Sequence, residues 1–201
     1  MEQKGVTVWL TGRSGAGKTA LAMPLEDKLR QRGLKVERLD GDIVRESLTR
    51  DLGFSKEDRD MNIERVTFVA KLLTRNGVAV LCSFISPYRA VRAKVAEEVG
   101  NFVEVYCYAP LEVLIERDVK GMYKKAIAGE IKNFTGISDP YEPPENPAVT
   151  VDSSTETIQE SLAKILAKLE ELGYVPPAAE EAYTADEEAE IEARLEALGY
   201  L

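Results

Sequence analysis

The chain has 201 residues, of which 44% are hydrophobic and 30% are charged, and this suits one globular domain with a short appendage. No apolar run is long enough to span a bilayer, and the N-terminal residues lack the apolar stretch of a signal peptide, so we expect a cytoplasmic protein with no membrane partner. The net charge of −9 includes −7 from residues 176–201, and the basic residues elsewhere form no stripe, which argues against a nucleic-acid partner.

Short β-rich apolar runs alternate along the chain with longer segments of helical period. Strands are predicted at residues 6–10, 35–39, 78–82, 102–108 and 148–151, and helices at 18–32, 56–75, 88–99, 111–117 and 155–172. This alternation predicts an α/β fold with a five-stranded parallel sheet and helices on both faces. Ligands of such sheets bind at the carboxyl ends of the strands, where each motif below begins. Cys82 and Cys107 lie in predicted strands and are interpreted as buried thiols, not as a disulfide.

Two consecutive prolines, Pro176 and Pro177, end this pattern. We therefore place one domain at residues 1–175 and an acidic tail at residues 176–201. A capping box and a narrow apolar stripe predict one tail helix, from Thr184, Glu187, Ile191, Leu195 and Leu198. Such a stripe does not stabilise an isolated helix, so we expect the tail to pack on its own domain or on a second subunit. Gating of the site by the acidic tail is the alternative.

The first motif, GRSGAGKT at residues 12–19, fits the pattern G-x-x-x-x-G-K-[ST] between a predicted strand and a predicted helix. Its glycines let successive backbone N–H groups point at the phosphates of a nucleotide. We expect Lys18 to reach the β- and γ-phosphates and the Thr19 hydroxyl to bind Mg²⁺. The sequence thus predicts a three-layer P-loop kinase fold with a C-terminal tail helix. The predicted ATP-binding residues are Gly12, Arg13, Ser14, Gly15, Ala16, Gly17, Lys18 and Thr19.

Carboxylates follow the second predicted strand, in Asp40-Gly41-Asp42, whereas the third strand runs into residues 83–86 without one. GTPases and motor ATPases usually carry an Asp at the end of that third strand, so the pattern favours a small-molecule kinase. Since the chain has no histidine, a carboxylate or another group must serve as the general base. One of the two carboxylates would accept a proton from the acceptor hydroxyl, and the other would help to hold hydrated Mg²⁺. Turn formation through Asx hydrogen bonds is the structural alternative for this motif.

Five segments, the first of which contains the Asp-Gly-Asp motif, resemble the adenylyl-sulfate kinase (APS kinase) family, and the resemblance extends to about Val175. They are DGDIVR (40–45), DLGFSKEDRDMNIER (51–65), FISPYRAVR (84–92), ERDVKGMYKKA (116–126) and IKNFTGISDPYEPPENP (131–147). The resemblance implies transfer of the γ-phosphate of ATP to the 3′-hydroxyl of adenylyl sulfate (APS), with Mg²⁺, to give 3′-phosphoadenylyl sulfate (PAPS) and ADP. Another small-molecule P-loop kinase, of the gluconate or shikimate kind, and a catalytically idle nucleotide-binding regulatory domain are the alternatives.

The resemblance also implies roles for matched residues. Phe54 and Phe134 would sandwich the adenine of APS, since aromatic faces bind nucleobases by stacking. Arg45, Arg59 and Asn62 would hold the phosphosulfate and the ribose. The implied catalytic residues are Lys18, Asp40, Asp42 and Ser86, with Asp42 as base and Asp40 beside Thr19 at the metal. The remaining implied residues are Arg117 for ATP, Ile85, Ser86 and Lys120 for APS, and Lys120, Gly121, Lys124 and Lys125 in a mobile lid.

Ser86 has two competing interpretations. A phosphoserine intermediate has been assigned to this serine in the family, but in-line transfer to a bound hydroxyl needs only positioning and charge, so we favour direct transfer with Ser86 binding APS. The chain departs from the family pattern at Arg13, Val119 and Met122, which puts nucleotide affinity and lid mobility in question but not the reaction. The resemblance further points to a homodimer and to functional coupling with ATP sulfurylase.

Overall fold

A computed structural model describes residues 3–177, and its centre is a parallel five-stranded sheet in the order β2-β3-β1-β4-β5. The strands are β1 (Val6–Thr11), β2 (Val36–Asp40), β3 (Ala79–Ser83), β4 (Phe102–Tyr108) and β5 (Val149–Asp152). Because β1 lies in the middle of the sheet, between β3 and β4, all six of its residues are buried. The loop that follows β1 therefore begins at the centre of the carboxyl edge.

Seven helices cover this sheet within the described residues. They are α1 (Lys18–Gln31), α2 (Gly41–Glu46), α3 (Lys56–Arg75), α4 (Arg89–Val99), α5 (Leu111–Arg117), α6 (Met122–Ile127) and α7 (Ile158–Glu171). None of the helices between residues 3 and 177 has the length and apolarity needed to cross a membrane.

Alternation along the strands produces two apolar cores. Val6, Val8 and Leu10 of β1 belong to the core that α1 and α7 cover, while Trp9 belongs to the core beneath α3 and α4. Neighbouring β3 divides in the same way, because successive side chains of a strand point to opposite faces. The predicted three-layer arrangement is confirmed. Cys82 and Cys107 are buried and free, as predicted, and burial raises the pKa of the Cys107 thiol to about 12.

The sequence prediction found all five strands and the bounds of α3 and α5, but it missed the short helices α2 and α6. The Asp40 carboxylate caps α2 by accepting a hydrogen bond from the Asp42 amide, so the Asp-Gly-Asp motif starts a helix. Helix α6 lies within the predicted lid, and the Asp118 carboxylate accepts bonds from the Tyr123 and Lys124 amides of its first turn. The predicted tail helix lies outside the described residues.

Candidate active site

The P-loop connects β1 to α1 and passes close to the backbone of β4. A Cβ atom at Gly12 would lie 2.2 Å from the carbonyl oxygen of Cys107, so this position accepts only glycine. Gly17 takes a left-handed conformation with φ 89° and forms the N-cap of α1. The Lys18 ammonium donates hydrogen bonds of 2.8 Å to the carbonyls of Gly12 and Arg13. The lysine is thus held inside the curve of the loop.

Loss of solvation lowers the pKa of Lys18 to about 8. The nearby ammonium of Lys120 acts in the same direction, whereas Cys107, Asp40 and Asp42 favour the charged form. Lys18 therefore keeps most of its positive charge at neutral pH but titrates much closer to neutrality than an ordinary lysine.

Three residues form a hydrogen-bonded chain: Thr19 in the first turn of α1, Asp40 at the end of β2, and Asp42 in the first turn of α2. The Thr19 hydroxyl donates to Asp40 Oδ2 at 2.7 Å, and Asp40 Oδ1 accepts from the Asp42 amide at 3.0 Å. Asp40 is buried, while the Asp42 side chain is 72% exposed. The arrangement places one carboxylate against the P-loop threonine and leaves the other facing outward.

The oxygens of Thr19 and Asp40 are hard ligands of the kind that Mg²⁺ prefers. Between residues 3 and 177 there is no group of three His, Cys, Asp or Glu side chains that would hold a metal by protein ligands alone. A hydroxyl and a single carboxylate beside a phosphate-binding loop suit Mg²⁺, which usually keeps several waters and shares phosphate oxygens. These residues therefore fit the ion.

The predicted lid contacts the outward carboxylate. Lys120 Nζ lies 2.5 Å from Asp42 Oδ2, and both side chains are well exposed. Gly121 follows in a left-handed conformation with φ 64°, directly before α6. Lys124 and Lys125, the other predicted lid cations, are exposed on α6. Of the four lid residues, Lys120 is thus the one whose ion pair joins the lid to Asp42.

The two phenylalanines predicted to stack on APS occupy different environments. Phe54 is 63% exposed, and the Arg45 guanidinium lies over its ring at 4.4 Å. Arg45 also donates to the Gly53 carbonyl at 3.1 Å, and burial together with the Arg59 charge lowers its pKa. Phe134 is only 6% exposed, and its ring meets that of Tyr123 edge to face at 5.0 Å. Phe54 therefore offers an open face, whereas most of Phe134 belongs to the core.

Other predicted ligands are held by protein partners. Arg59 bonds to the Asp139 carboxylate and the Asn133 carbonyl, both in the loop between α6 and β5. Asn62 is buried and accepts a hydrogen bond of 2.7 Å from the Thr49 hydroxyl. Arg117 donates to the Ser153 carbonyl at 2.9 Å, directly after β5. The structure thus brings Arg59 to the loop between α6 and β5, Arg117 to the end of β5, and Asn62 into the interior.

Ser86 is buried and has a positive φ of 38°. Its hydroxyl accepts a hydrogen bond of 2.9 Å from the Trp9 indole, and its carbonyl accepts one of 2.7 Å from Arg92. Ile85 is tied down as well, since the Thr11 hydroxyl donates to its carbonyl at 2.8 Å.

The sequence interpretation gave no role to three residues that support the site: Trp9, Arg92 and Tyr123. The Tyr123 hydroxyl donates to the Ser14 carbonyl of the P-loop at 2.9 Å. Arg92 and Tyr123 stand inside the segments 84–92 and 116–126, so a signal for them existed. Trp9 lies in an apolar strand, where a structural role in the core was the natural interpretation.

Comparison with known proteins shows which family the chain is similar to. The family model described as adenylylsulphate kinase matches residues 4–152. An adenylyl-sulfate kinase of Rippkaea orientalis is 65% identical over 87% of this chain and 97% of its own length. One of Halothermothrix orenii is 62% identical, over 86% and 94% respectively. The Mycobacterium tuberculosis APS kinase CysC, solved with AMPPNP and APS, is 44% identical with a TM-score of 0.79, covering 84% of this chain and 99% of that one.

Proposed function

This chain belongs to the adenylylsulphate kinase family and phosphorylates APS to PAPS with ATP, and on that premise we propose how its residues divide the reaction. The P-loop binds the transferred phosphate, the end of β2 activates the acceptor hydroxyl, and residues 54–59 with the loop after α6 bind APS. Membership of this family at such identity removes the alternatives of a gluconate-type or shikimate-type kinase and of an idle regulatory domain.

The observation that carries the proposal is the chain Thr19–Asp40–Asp42, with hydrogen bonds of 2.7 and 3.0 Å. It joins the P-loop threonine to the buried Asp40 carboxylate and to the backbone amide of Asp42, whose own carboxylate is exposed. When bound, Mg²⁺ would be held by Thr19 and Asp40 and would neutralise charge on the phosphates of ATP. Asp42, the exposed member, stands where an incoming hydroxyl can approach, so it accepts the proton of the 3′-hydroxyl as that oxygen attacks the γ-phosphate.

Lys18 and Lys120 supply positive charge on the two sides of the transferred phosphate. Lys18 is fixed by the carbonyls of Gly12 and Arg13 and needs little movement to meet phosphate oxygens. Lys120 pairs with Asp42 across the mouth of the site. To accept a proton, Asp42 must exchange this ion pair for the acceptor hydroxyl, and Lys120 is then free to turn to the phosphate. Closure of the lid also excludes water from the reacting groups.

The acceptor is recognised by stacking and by cations. The open face of Phe54, backed by Arg45, receives the adenine of APS, and Phe134 contributes its exposed edge. Arg59 meets the phosphosulfate, for which it must share or release Asp139. Ile85 and Ser86 border the acceptor with their backbone.

We further propose a cytoplasmic homodimer that is functionally coupled to ATP sulfurylase. Two buried free thiols support a reducing compartment. Met61 and Phe68, seven residues apart on α3, are exposed and supply an apolar surface for the dimer. Light scattering of the full chain and of Phe68→Lys tests the dimer, because a charge at the centre of such an interface should shift the protein to a monomer.

The division of labour between Asp40 and Asp42 is tested by the magnesium dependence of turnover, with APS as acceptor and gluconate, shikimate and nucleoside monophosphates as negative controls. We expect Asp40→Asn to raise the Mg²⁺ concentration required for half-maximal rate. Asp42→Asn should lower the maximal rate without changing that requirement. An equal shift of the magnesium requirement in both variants would overturn the proposed roles.

A further inference from the structure

The segment of residues 84–87, beside the proposed acceptor site, contains a non-glycine residue with a left-handed backbone. Ser86 adopts φ 38°, a left-handed conformation that costs an L-residue about fivefold or more in population. It does so in the buried interior, where a loop cannot rely on water to satisfy its polar groups. The surrounding structure must therefore hold Ser86 in place.

Arg92 supplies some of the contacts that fix Ser86 in this conformation. It is 3% exposed, and three nitrogens of its guanidinium have three different acceptors: Glu104 Oε1 at 2.8 Å, the Ser86 carbonyl at 2.7 Å and the Glu142 carbonyl at 2.8 Å. The Glu104 carboxylate on β4 compensates the buried charge. The other two bonds reach the two segments that flank the acceptor side, and the Glu142 amide itself donates to the Pro87 carbonyl at 2.9 Å.

Residues of β1 supply the other contacts that fix Ser86. The Trp9 indole donates to the Ser86 hydroxyl at 2.9 Å, and that hydroxyl lies 3.3 Å from the Thr11 hydroxyl, which in turn donates to the Ile85 carbonyl. Thr11 directly precedes Gly12, the first residue of the P-loop. The segment that borders the acceptor is therefore fixed to the strand that carries the ATP-binding loop.

We propose that Arg92 is a positioning residue for APS: together with Trp9 it locks Ser86 in the left-handed conformation, so that the backbone of Ile85 and Ser86 keeps a fixed place relative to the P-loop. The Ser86 hydroxyl serves this lock and is not a phosphate carrier. The proposal rests on the assignment of Ile85 and Ser86 to the acceptor site made above.

The geometry of the guanidinium distinguishes this role from simple packing. An ion pair with Glu104 would by itself suffice to fasten α4 to β4, and a lysine could form it. Only a planar fork with several donors can also bind the carbonyls of Ser86 and Glu142 at the same time. Arg92→Lys should therefore preserve the link between α4 and β4 but lose part of the lock.

The test is a double-mutant cycle between Arg92→Met and Ser86→Gly, with KM measured separately for APS and for ATP. Arg92→Met should raise the KM for APS about tenfold, because Ser86 relaxes toward negative φ, and should leave the KM for ATP within about twofold. Glycine populates positive φ as readily as negative φ, so in the Ser86→Gly background the same Arg92→Met change should cost about fivefold less. Arg92→Lys should fall between Arg92→Met and the wild type, and it keeps the test usable if Arg92→Met does not fold.

Arg32→Met is the matched control. Arg32 also forms an ion pair, with Glu170, and bonds to a main-chain carbonyl, that of Pro176, but it joins α1 to the end of α7 away from the acceptor side. It should lower the melting temperature without changing either KM. Arg92 would be merely structural if its variants behaved like Arg32→Met, if both KM values rose together, or if Ser86→Gly gave no relief.

Phe54→Ala, measured in parallel, separates failure of this inference from failure of the site assignment. A raised KM for APS in Phe54→Ala, with none in Arg92→Met, would leave the acceptor site in place and refute the lock. An unchanged KM in both variants would refute the acceptor site itself.

Discussion

Asp42→Asn isolates the chemical step from binding and stability. The substitution keeps the shape of the side chain and its place at the start of α2 but removes the oxygen that accepts a proton. Asp42 is 72% exposed, and its carboxylate contacts Lys120 at 2.5 Å, while its amide keeps the bond to Asp40. The carboxylate can therefore be replaced without disturbing the buried Asp40.

Asp42→Asn should have a large effect on turnover and a small effect on stability. A positioned general base contributes ~10²–10⁴-fold to the rate, which corresponds to about 3–5 kcal/mol of transition-state stabilisation. An exposed ion pair such as that between Asp42 and Lys120 contributes only ~0.2–1 kcal/mol to the free energy of unfolding. Turnover should thus fall at least about a hundredfold, while the melting temperature changes little and the KM for APS stays nearly constant.

Turnover is followed as ADP release with saturating ATP, Mg²⁺ and APS. Lys120→Met breaks the same ion pair but retains the carboxylate, so its change in melting temperature should equal that of Asp42→Asn. Asp51→Asn removes a comparable exposed aspartate, paired with Arg65 at 2.7 Å, and should leave turnover intact. A kcat within tenfold of the wild type, or a loss that appears only in KM, would make Asp42 a binding residue and refute its role as base.

Four further predictions concern Lys18, the two phenylalanines and Ser86. Because the pKa of Lys18 is lowered to about 8, its charge is lost as the pH rises through that value. The kcat/KM for ATP should therefore fall above pH 8. A kcat/KM that stays constant up to about pH 9.5 would contradict this. The unfolded chain binds the extra proton between about pH 8 and the ordinary lysine pKa, so Lys18 makes the free energy of unfolding rise with pH across that window. Phe54→Ala should weaken APS binding by ~1–3 kcal/mol at an unchanged melting temperature. Phe134→Ala should weaken APS binding as well, and it should also destabilise the fold by about 3–5 kcal/mol, because its ring packs on Tyr123. Calorimetric titration measures the binding and thermal melting the stability, and equal melting temperatures for the two variants would be inconsistent with this packing. With ATP alone, rapid quench and mass spectrometry should find no phosphoserine at Ser86, and a kinetically competent one would refute direct transfer.

Local patterns were sufficient to predict most of the fold. β1 is apolar because it is central, and the switch from strand to glycine-rich loop to helix locates the P-loop within one residue. The hydrogen bond between Thr19 and Asp40 agrees with the expectation, implied by the family resemblance, that both residues lie at one Mg²⁺. Helix α2 escaped prediction because it has only six residues and its start depends on a side-chain cap.

The hydrogen bonds that support the site could not be predicted, because they join residues that are distant in the sequence. Trp9 and Ser86 are 77 positions apart, and no periodicity indicates that the indole of a core strand will donate to a loop hydroxyl. The two stacking candidates show the same limit. Phe54 and Phe134 are equivalent in residue type and in their place within motifs, yet one is open and the other is mostly enclosed. Which face of an aromatic ring is free depends on tertiary packing.

The end of β1 explains how positioning alone can support direct transfer. One hydroxyl, that of Thr11, donates to the Ile85 carbonyl and lies 3.0 Å from the Tyr141 hydroxyl, and the next residue begins the P-loop. On the proposed assignment of the site residues, both substrates are located from the same strand terminus. Transfer in line requires the donor phosphate and the acceptor oxygen to stay aligned within a fraction of an ångström, and such alignment replaces a large part of the entropic barrier. Because the proposed ATP-binding and APS-binding loops start from one strand end, the distance between the two substrates varies little, and the proposed direct transfer needs no step through Ser86.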